Sequence, residues 1–185
     1  MLIVLTGKTA SGKDTIKKAL LAYYPKLRKV ITTTSRKLRP GEKNKVDYYF
    51  INREEFNRKI KNGEFLEYVT YGGNLYGTTK KELENVLDHH DVLWKMDPSR
   101  AGQIRDFFSK KENIVVIYIT TSDDVILKRL NKRNLSAEMI DKRMGEDQNI
   151  WKLNQGKYDF VVENVAGELD QTIRKIIKIT ETHRK

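Results

Sequence analysis

The sequence predicts an α/β fold in which a doubly wound parallel sheet of about five strands carries helices on both faces. Three observations lead there. Short, nearly unbroken apolar runs recur along the chain, apolar residues at helical spacing lie between most of them, and a glycine-rich loop joins the first run to the first helix. A run apolar on consecutive residues belongs to a strand covered on both sides, which is the condition of a parallel sheet.

Leu2 to Leu5 reads as the first strand, ended by Thr6 and Gly7, and Ile16 to Tyr24 as the first helix. Further strands are expected at Lys29 to Ile31, Val92 to Met96, Ile114 to Ile119 and Phe160 to Val162, with helices at Ser99 to Phe108 and Asp123 to Leu130. Between Thr33 and His90 the texture changes. Tyr48 to Ile51, Phe65 to Thr70 and Asn74 to Tyr76 read as short strands joined by turn-rich stretches such as Arg39-Pro40-Gly41 and Gly72-Gly73-Asn74, hence an inserted small mixed α/β lobe at 33–89. Asn131 to Lys157 is strongly charged and weakly apolar, with Ser136 as a helix cap, so a helical lid is expected at 131–150. Trp94 should pack in the sheet and Trp151 on the long helix. The whole forms a single domain over 1–185, with its core in 1–32 and 90–185.

A chain of 185 residues can bury most of what it exposes when unfolded. Its 38% hydrophobic and 33% charged content, with apolar runs throughout, excludes a disordered chain. No run approaches the roughly 20 apolar residues that span a bilayer, and no basic segment leads into a signal-type apolar run at the amino end. The absence of cysteine excludes a disulfide framework and a thiolate zinc site. A cytoplasmic protein with no membrane partner, monomeric or homodimeric, is expected.

The formal charge of +11 suits a polyanion, either nucleic acid or phosphorylated metabolites, and equally suits solvated helix faces such as that of Arg174, Lys175 and Lys178. No aromatic RNA-binding motif, zinc spacing or helix-turn-helix signature is present, so no nucleic-acid partner is expected. His89-His90 reads as a turn before a strand, without a third ligand at metal-binding spacing. Three histidines and no cysteine cannot build a Ser/His/Asp or Cys/His nucleophile.

Gly7, Lys8, Thr9, Ala10, Ser11, Gly12 and Lys13 satisfy the GxxxxGK pattern of a P-loop, and do so between a strand and a helix, where the mechanism works. The glycines let backbone N–H groups face phosphate, and Lys13 reaches the outer phosphates. ATP is therefore expected at Gly7 to Thr15, on a P-loop doubly wound sheet. Asp14 stands where a Ser or Thr usually holds Mg²⁺, with Thr15 next. A carboxylate is a hard oxygen ligand, so Mg²⁺ is expected with ATP and Asp14 as its ligand.

Thr32-Thr33-Thr34-Ser35-Arg36-Lys37-Leu38-Arg39-Pro40-Gly41-Glu42 concentrates hydroxyls and arginines in a turn-rich stretch, and Val46-Asp47-Tyr48-Tyr49-Phe50 follows. With Gly63 to Tyr68, Gly73 to Thr78, Val92 to Asp97 and Tyr158 to Val162, these segments resemble guanylate kinase, in the same order from residue 2 to about residue 177. The resemblance implies transfer of a phosphoryl group from ATP to GMP and dGMP. It implies that Arg36, Arg39, Tyr48 and Tyr76 hold the acceptor phosphate, as arginine forks and tyrosine hydroxyls can. It implies further that Glu67 and Thr32 read guanine, a carboxylate accepting two parallel bonds from its N1–H and amino group. Thr78 and Asp97 would complete that pocket. Arg129, Arg133 and Arg143 would close over the transferring group from the lid, acting with Lys13 and Arg36 as the catalytic charges.

The chain departs from the family where guanylate kinases read Asp, apolar, Asp, variable, Gln, Gly: here stands Lys95-Met96-Asp97-Pro98-Ser99-Arg100. Asp14 and Ser99-Arg100-Ala101 are also similar to ribose 1,5-bisphosphate kinase, a relative acting on a sugar phosphate. A catalytically inactive binding module of the same fold is the third reading.

Overall fold

The computed structural model describes residues 1–87, 91–108 and 113–184, and His89-His90 lies outside them. β1 (Leu2–Gly7) leads into α1 (Lys13–Tyr23), and β2 (Arg28–Lys29) closes the first unit. The inserted region holds β3 (Thr33–Thr34), β4 (Tyr49–Phe50), α2 (Arg53–Lys61), β5 (Phe65–Tyr71), β6 (Asn74–Thr79) and α3 (Lys80–Leu87). β7 (Val92–Lys95), α4 (Pro98–Ala101), β8 (Ile114–Thr120), α5 (Asp123–Asn131), α6 (Ala137–Asn154), β9 (Phe160–Glu163) and α7 (Leu169–His183) follow.

The large sheet has five strands in the order β2-β7-β1-β8-β9, every pairing parallel. All six residues of β1 are buried, because β1 lies mid-sheet with apolar layers on both sides. Alternation along the strands sorts those layers. Leu2, Val4, Trp94, Val116 and Tyr118 face one way, packed with Trp151 of α6, and Ile3, Leu5, Ile117 and Ile119 face the other with Ile16 of α1 and Ile176 of α7. Trp94 is fully buried, and Trp151 stacks against Tyr158, as the apolar pattern required.

The second sheet, ordered β4-β3-β6-β5, is mixed: β3 pairs parallel with β4 and antiparallel with β6. It rests on a small core of its own, Phe56, Phe65 and Leu75.

Two of the expected elements are cut short or broken, and β3 was not among those expected. The strand expected at Lys29 to Ile31 is β2, Arg28–Lys29, because the chain leaves the sheet there: the Ile31 N–H donates to Glu82 Oε1 at 2.8 Å instead of to a strand. The helix expected at Ser99 to Phe108 is broken into α4 and a 3₁₀ turn at Ile104–Phe107. Asp97 caps α4 and Pro98 opens it, and the break follows Gly102, where a Cβ would lie 2.6 Å from Asn154 Oδ1 of α6. The predicted cap at Ser136 is present, its hydroxyl accepting from Met139 N–H.

Candidate active site

The carboxyl ends of the parallel strands, the second sheet and α6 enclose a cavity of about 430 Å³. Ligands in open α/β sheets bind at this edge. The phosphate loop forms its floor. Gly7 ends β1 at φ 139°, and any Cβ there would fall 2.0 Å from Ile119 O, so the turn admits only glycine. Gly12 is at φ 97°, and a Cβ there would fall 2.4 Å from Nδ2 of Asn164, whose amide donates to Ser11 O at 2.8 Å. α1 begins without a side-chain cap, leaving the N–H groups of its first turn for an anion.

Lys13 is folded over this loop, donating to Gly7 O at 2.8 Å and to Lys8 O. Burial pushes its ammonium down to about 8, Lys95 adding to the shift and Asp147, Asp14 and Asp97 opposing it. Arg129 of α5 donates to Ala10 O at 2.8 Å, bracing the loop from outside. Lys8 turns away to Asp123 at 2.9 Å.

Gly7, Thr9 to Thr15, Thr32, Tyr48, Tyr76, Asp97, Arg129 and Arg133 all line the cavity. Arg36 stands behind Tyr48: it holds both oxygens of Glu42, at 2.8 and 3.0 Å, and lies 5.5 Å from the ring centroids of Tyr48 and Phe50. Arg39 is exposed nearby, its N–H on Glu42. Glu67 and Thr78 are buried as neighbours across β5 and β6, outside the cavity lining. Burial pushes the Glu67 carboxyl up to about 7, against Thr78 and the charge of Arg100. The Thr78 hydroxyl accepts from Trp94 Nε1 at 3.2 Å, and Asp97 spends one oxygen capping α4. Arg143 of α6 is 5.6 Å from the ring centroid of Tyr71, so α6 reaches the small sheet. Burial and the charge of Arg39 push the Arg133 guanidinium down, Arg143 adding to this and Asp14 opposing it.

Three participants had no role in the sequence reading. Asp147 of α6 accepts the Thr9 N–H at 2.6 Å, and burial pushes its carboxyl up to about 6. It stands four residues after Arg143, on the same helix face, which is the signal that could have found it. Asn164, just past β9, anchors the loop with no motif around it. The third is Lys95, whose ammonium is 2.7 Å from Asp14 Oδ1 and 2.8 Å from Tyr48 Oη. Burial alone would push Lys95 down, but Tyr48 and Asp14 hold it above the ordinary lysine value. Loss of water pushes Asp14 up, and Lys95, Lys17 and Lys13 more than reverse this, holding it well below the usual carboxylate range. The unusual residues at 14 and 95 are thus partners. Arg100, another departure, donates twice to Tyr68 O, at 3.2 and 3.0 Å, tying α4 to β5.

The family model described as Guanylate kinase matches residues 1–183. The guanylate kinase of Symbiobacterium thermophilum is 38% identical over 166 residues, 89% of this chain and 77% of the relative. That of Latilactobacillus sakei is 36% identical over 186 residues, 98% of this chain and 89% of the relative. The crystal structure of guanylate kinase from Anaplasma phagocytophilum superimposes with a TM-score of 0.73 at 27% identity, covering 100% of this chain and 87% of that one.

Proposed function

We infer the reaction from one premise: the chain belongs to the guanylate kinase family. It is a nucleoside monophosphate kinase that phosphorylates GMP. The observation that supports this best is one cavity floored by the phosphate loop and walled by Tyr48 and Tyr76 of the small lobe, with arginines at its rim.

In the reading we favour, ATP lies with its phosphates on Gly7 to Thr15, and GMP or dGMP lies against the small lobe. A phosphate oxygen of the acceptor attacks the γ-phosphorus in line. The bond from that phosphorus to the oxygen bridging it to the β-phosphate breaks, and ADP leaves with the electron pair. No protein nucleophile is needed, so the chain's work is positioning and charge. Lys13, Arg129 and Arg133 neutralise the transferring oxygens. Arg36, Arg39, Tyr48 and Tyr76 hold the acceptor phosphate, and Arg143 draws α6 toward the lobe so that water is excluded. Glu67, with Thr32, Thr78 and Asp97, reads the base.

Mg²⁺ with ATP fits the donors present. Among the described residues no group of three metal-binding side chains exists, yet Mg²⁺ beside phosphates asks for only one or two protein oxygens. Asp14 gives Oδ1 to Lys95 while Oδ2 has no partner among the described residues, so it and Thr15 are the residues that would hold the ion. Its contribution when bound is to neutralise the phosphate oxygens. In this reading the protein works in the cytoplasm as a monomer or homodimer; no helix among the described residues is long and apolar enough to cross a membrane.

The test is ATP-dependent ADP release with GMP, dGMP, AMP, UMP and ribose 1,5-bisphosphate. Selective turnover of GMP and dGMP is expected. Turnover of the sugar phosphate alone, or binding of GMP with no turnover, would replace this reading; the comparisons favour neither alternative.

A further inference from the structure

Lys95 ends β7 at the seam of the cavity, between the residue that follows the phosphate-loop lysine and a tyrosine of the small lobe. Its side chain is 19% exposed. A buried ammonium must find partners for its three N–H groups. Two are spoken for: one donates to Asp14 Oδ1 at 2.7 Å and one to Tyr48 Oη at 2.8 Å. Among the described residues no third acceptor is present, and the side chain lines the cavity.

The bond to Tyr48 also has a direction. Its oxygen accepts from Lys95, so the hydroxyl's own proton is left to donate elsewhere. The Lys95 Nζ is 5.0 Å from the Tyr48 ring centroid, so the ammonium stands close beside the ring. An anion that Tyr48 donates to is therefore a single hydrogen bond away from a fixed positive charge.

We propose that Lys95 is a catalytic residue of this chain: its ammonium donates to the acceptor phosphate at the junction with the transferring phosphoryl group, held there by Asp14 and Tyr48. The proposal rests on the phosphotransfer reading above and adds to it a resident cation standing between the donor and acceptor sites. Lys95 keeps its proton throughout. Its effect is electrostatic: it reduces the repulsion between two phosphates that must approach within bonding distance, and Asp14 is its anchor.

The test compares Lys95→Met with the unaltered protein for turnover of GMP and for equilibrium binding of GMP and of guanosine, which lacks the phosphate. The expected result is GMP affinity weakened about 10- to 100-fold, the range of a charge-assisted hydrogen bond, guanosine affinity unchanged, and kcat lowered by about 10². Lys95→Arg should recover most of the GMP affinity, since it restores the charge. Lys95→Gln, which can keep hydrogen bonds to Asp14 and Tyr48 without the charge, gives the same readout should Lys95→Met not fold. Unchanged GMP affinity in the neutral variant overturns the proposal, as does an equal loss for GMP and guanosine, the mark of a merely structural ion pair. If the unaltered protein does not phosphorylate GMP, the functional reading has failed and not this inference alone.

Discussion

Asp147 takes the backbone N–H of Thr9 at 2.6 Å, so a carboxylate from α6 rests directly on the phosphate loop. It brings negative charge to a place shaped for phosphate, and it fastens α6 to the loop. The two effects oppose each other in ATP binding, and the first dominates in a buried setting where charges are poorly screened. Asp147→Asn, which keeps the shape, should therefore tighten ATP binding about tenfold at pH 7.5, a difference near 1.4 kcal/mol. Titration calorimetry measures it, and a weakened affinity would mean that the fastening matters more than the charge.

Lys13 gives the donor site a pH limb. Its ammonium is pushed down to about 8 by burial, and only the protonated form attracts phosphate. The value of kcat/KM for ATP should be level near neutrality and fall as pH rises through about 8. Stability moves the other way. Between about 8 and the ordinary 10.5 the folded chain holds fewer protons than the unfolded one, so this group's contribution to stability grows with pH across that window. Lys13→Met should lower turnover by about 10³ and abolish the limb. A limb that persists in the variant belongs to another group.

The parallel core was legible because its signal is local. Leu2 to Leu5 and Ile114 to Ile119 are apolar on every residue, and only a strand covered on both faces is written so. The phosphate loop was legible for the same reason, its glycines being demanded by backbone geometry at Gly7 and Gly12. What escaped was set by distant partners. β3 is two residues long and owes its existence to β4 and β6. Gly102 looked like an ordinary helix residue until Asn154 closed on it from α6. Asp14 and Lys95 each looked like a separate oddity, 81 positions apart in sequence, and only the fold brings their charges to 2.7 Å.

Two arginines at the rim should separate by kinetics. Both line the cavity, but Arg129 braces the phosphate loop through Ala10 O, whereas Arg133, among the described residues, makes no such bond and stands in the field of Arg39 and Arg143. Arg129→Met should raise KM for ATP as well as lower kcat, because the loop loses an anchor. Arg133→Met should lower kcat by about 10² to 10³ with little change in either KM, as expected for a charge used only in the transition state. Equal profiles for the two variants would remove the distinction.

Glu67 links specificity to stability with a sign that can be checked. Burial pushes its carboxyl up from 4.5 to about 7, so the folded chain holds more protons than the unfolded one between those values and loses stability as pH rises through them. At pH 8 the fold carries an ionised, poorly solvated carboxylate. Reading guanine requires that same ionised form, so kcat/KM for GMP should rise with pH through about 7 and then level. Glu67→Gln removes both consequences together. Its melting temperature at pH 8 should be higher by about 2–4 °C. Its kcat/KM for GMP should fall by about 10² to 10⁴, with the preference over AMP lost. Near pH 4.5, where burial keeps the carboxyl neutral in the folded chain, the two proteins should melt together. A variant that melts lower at pH 8, or that still prefers GMP, would show that the buried carboxylate serves packing and leaves the base to other groups.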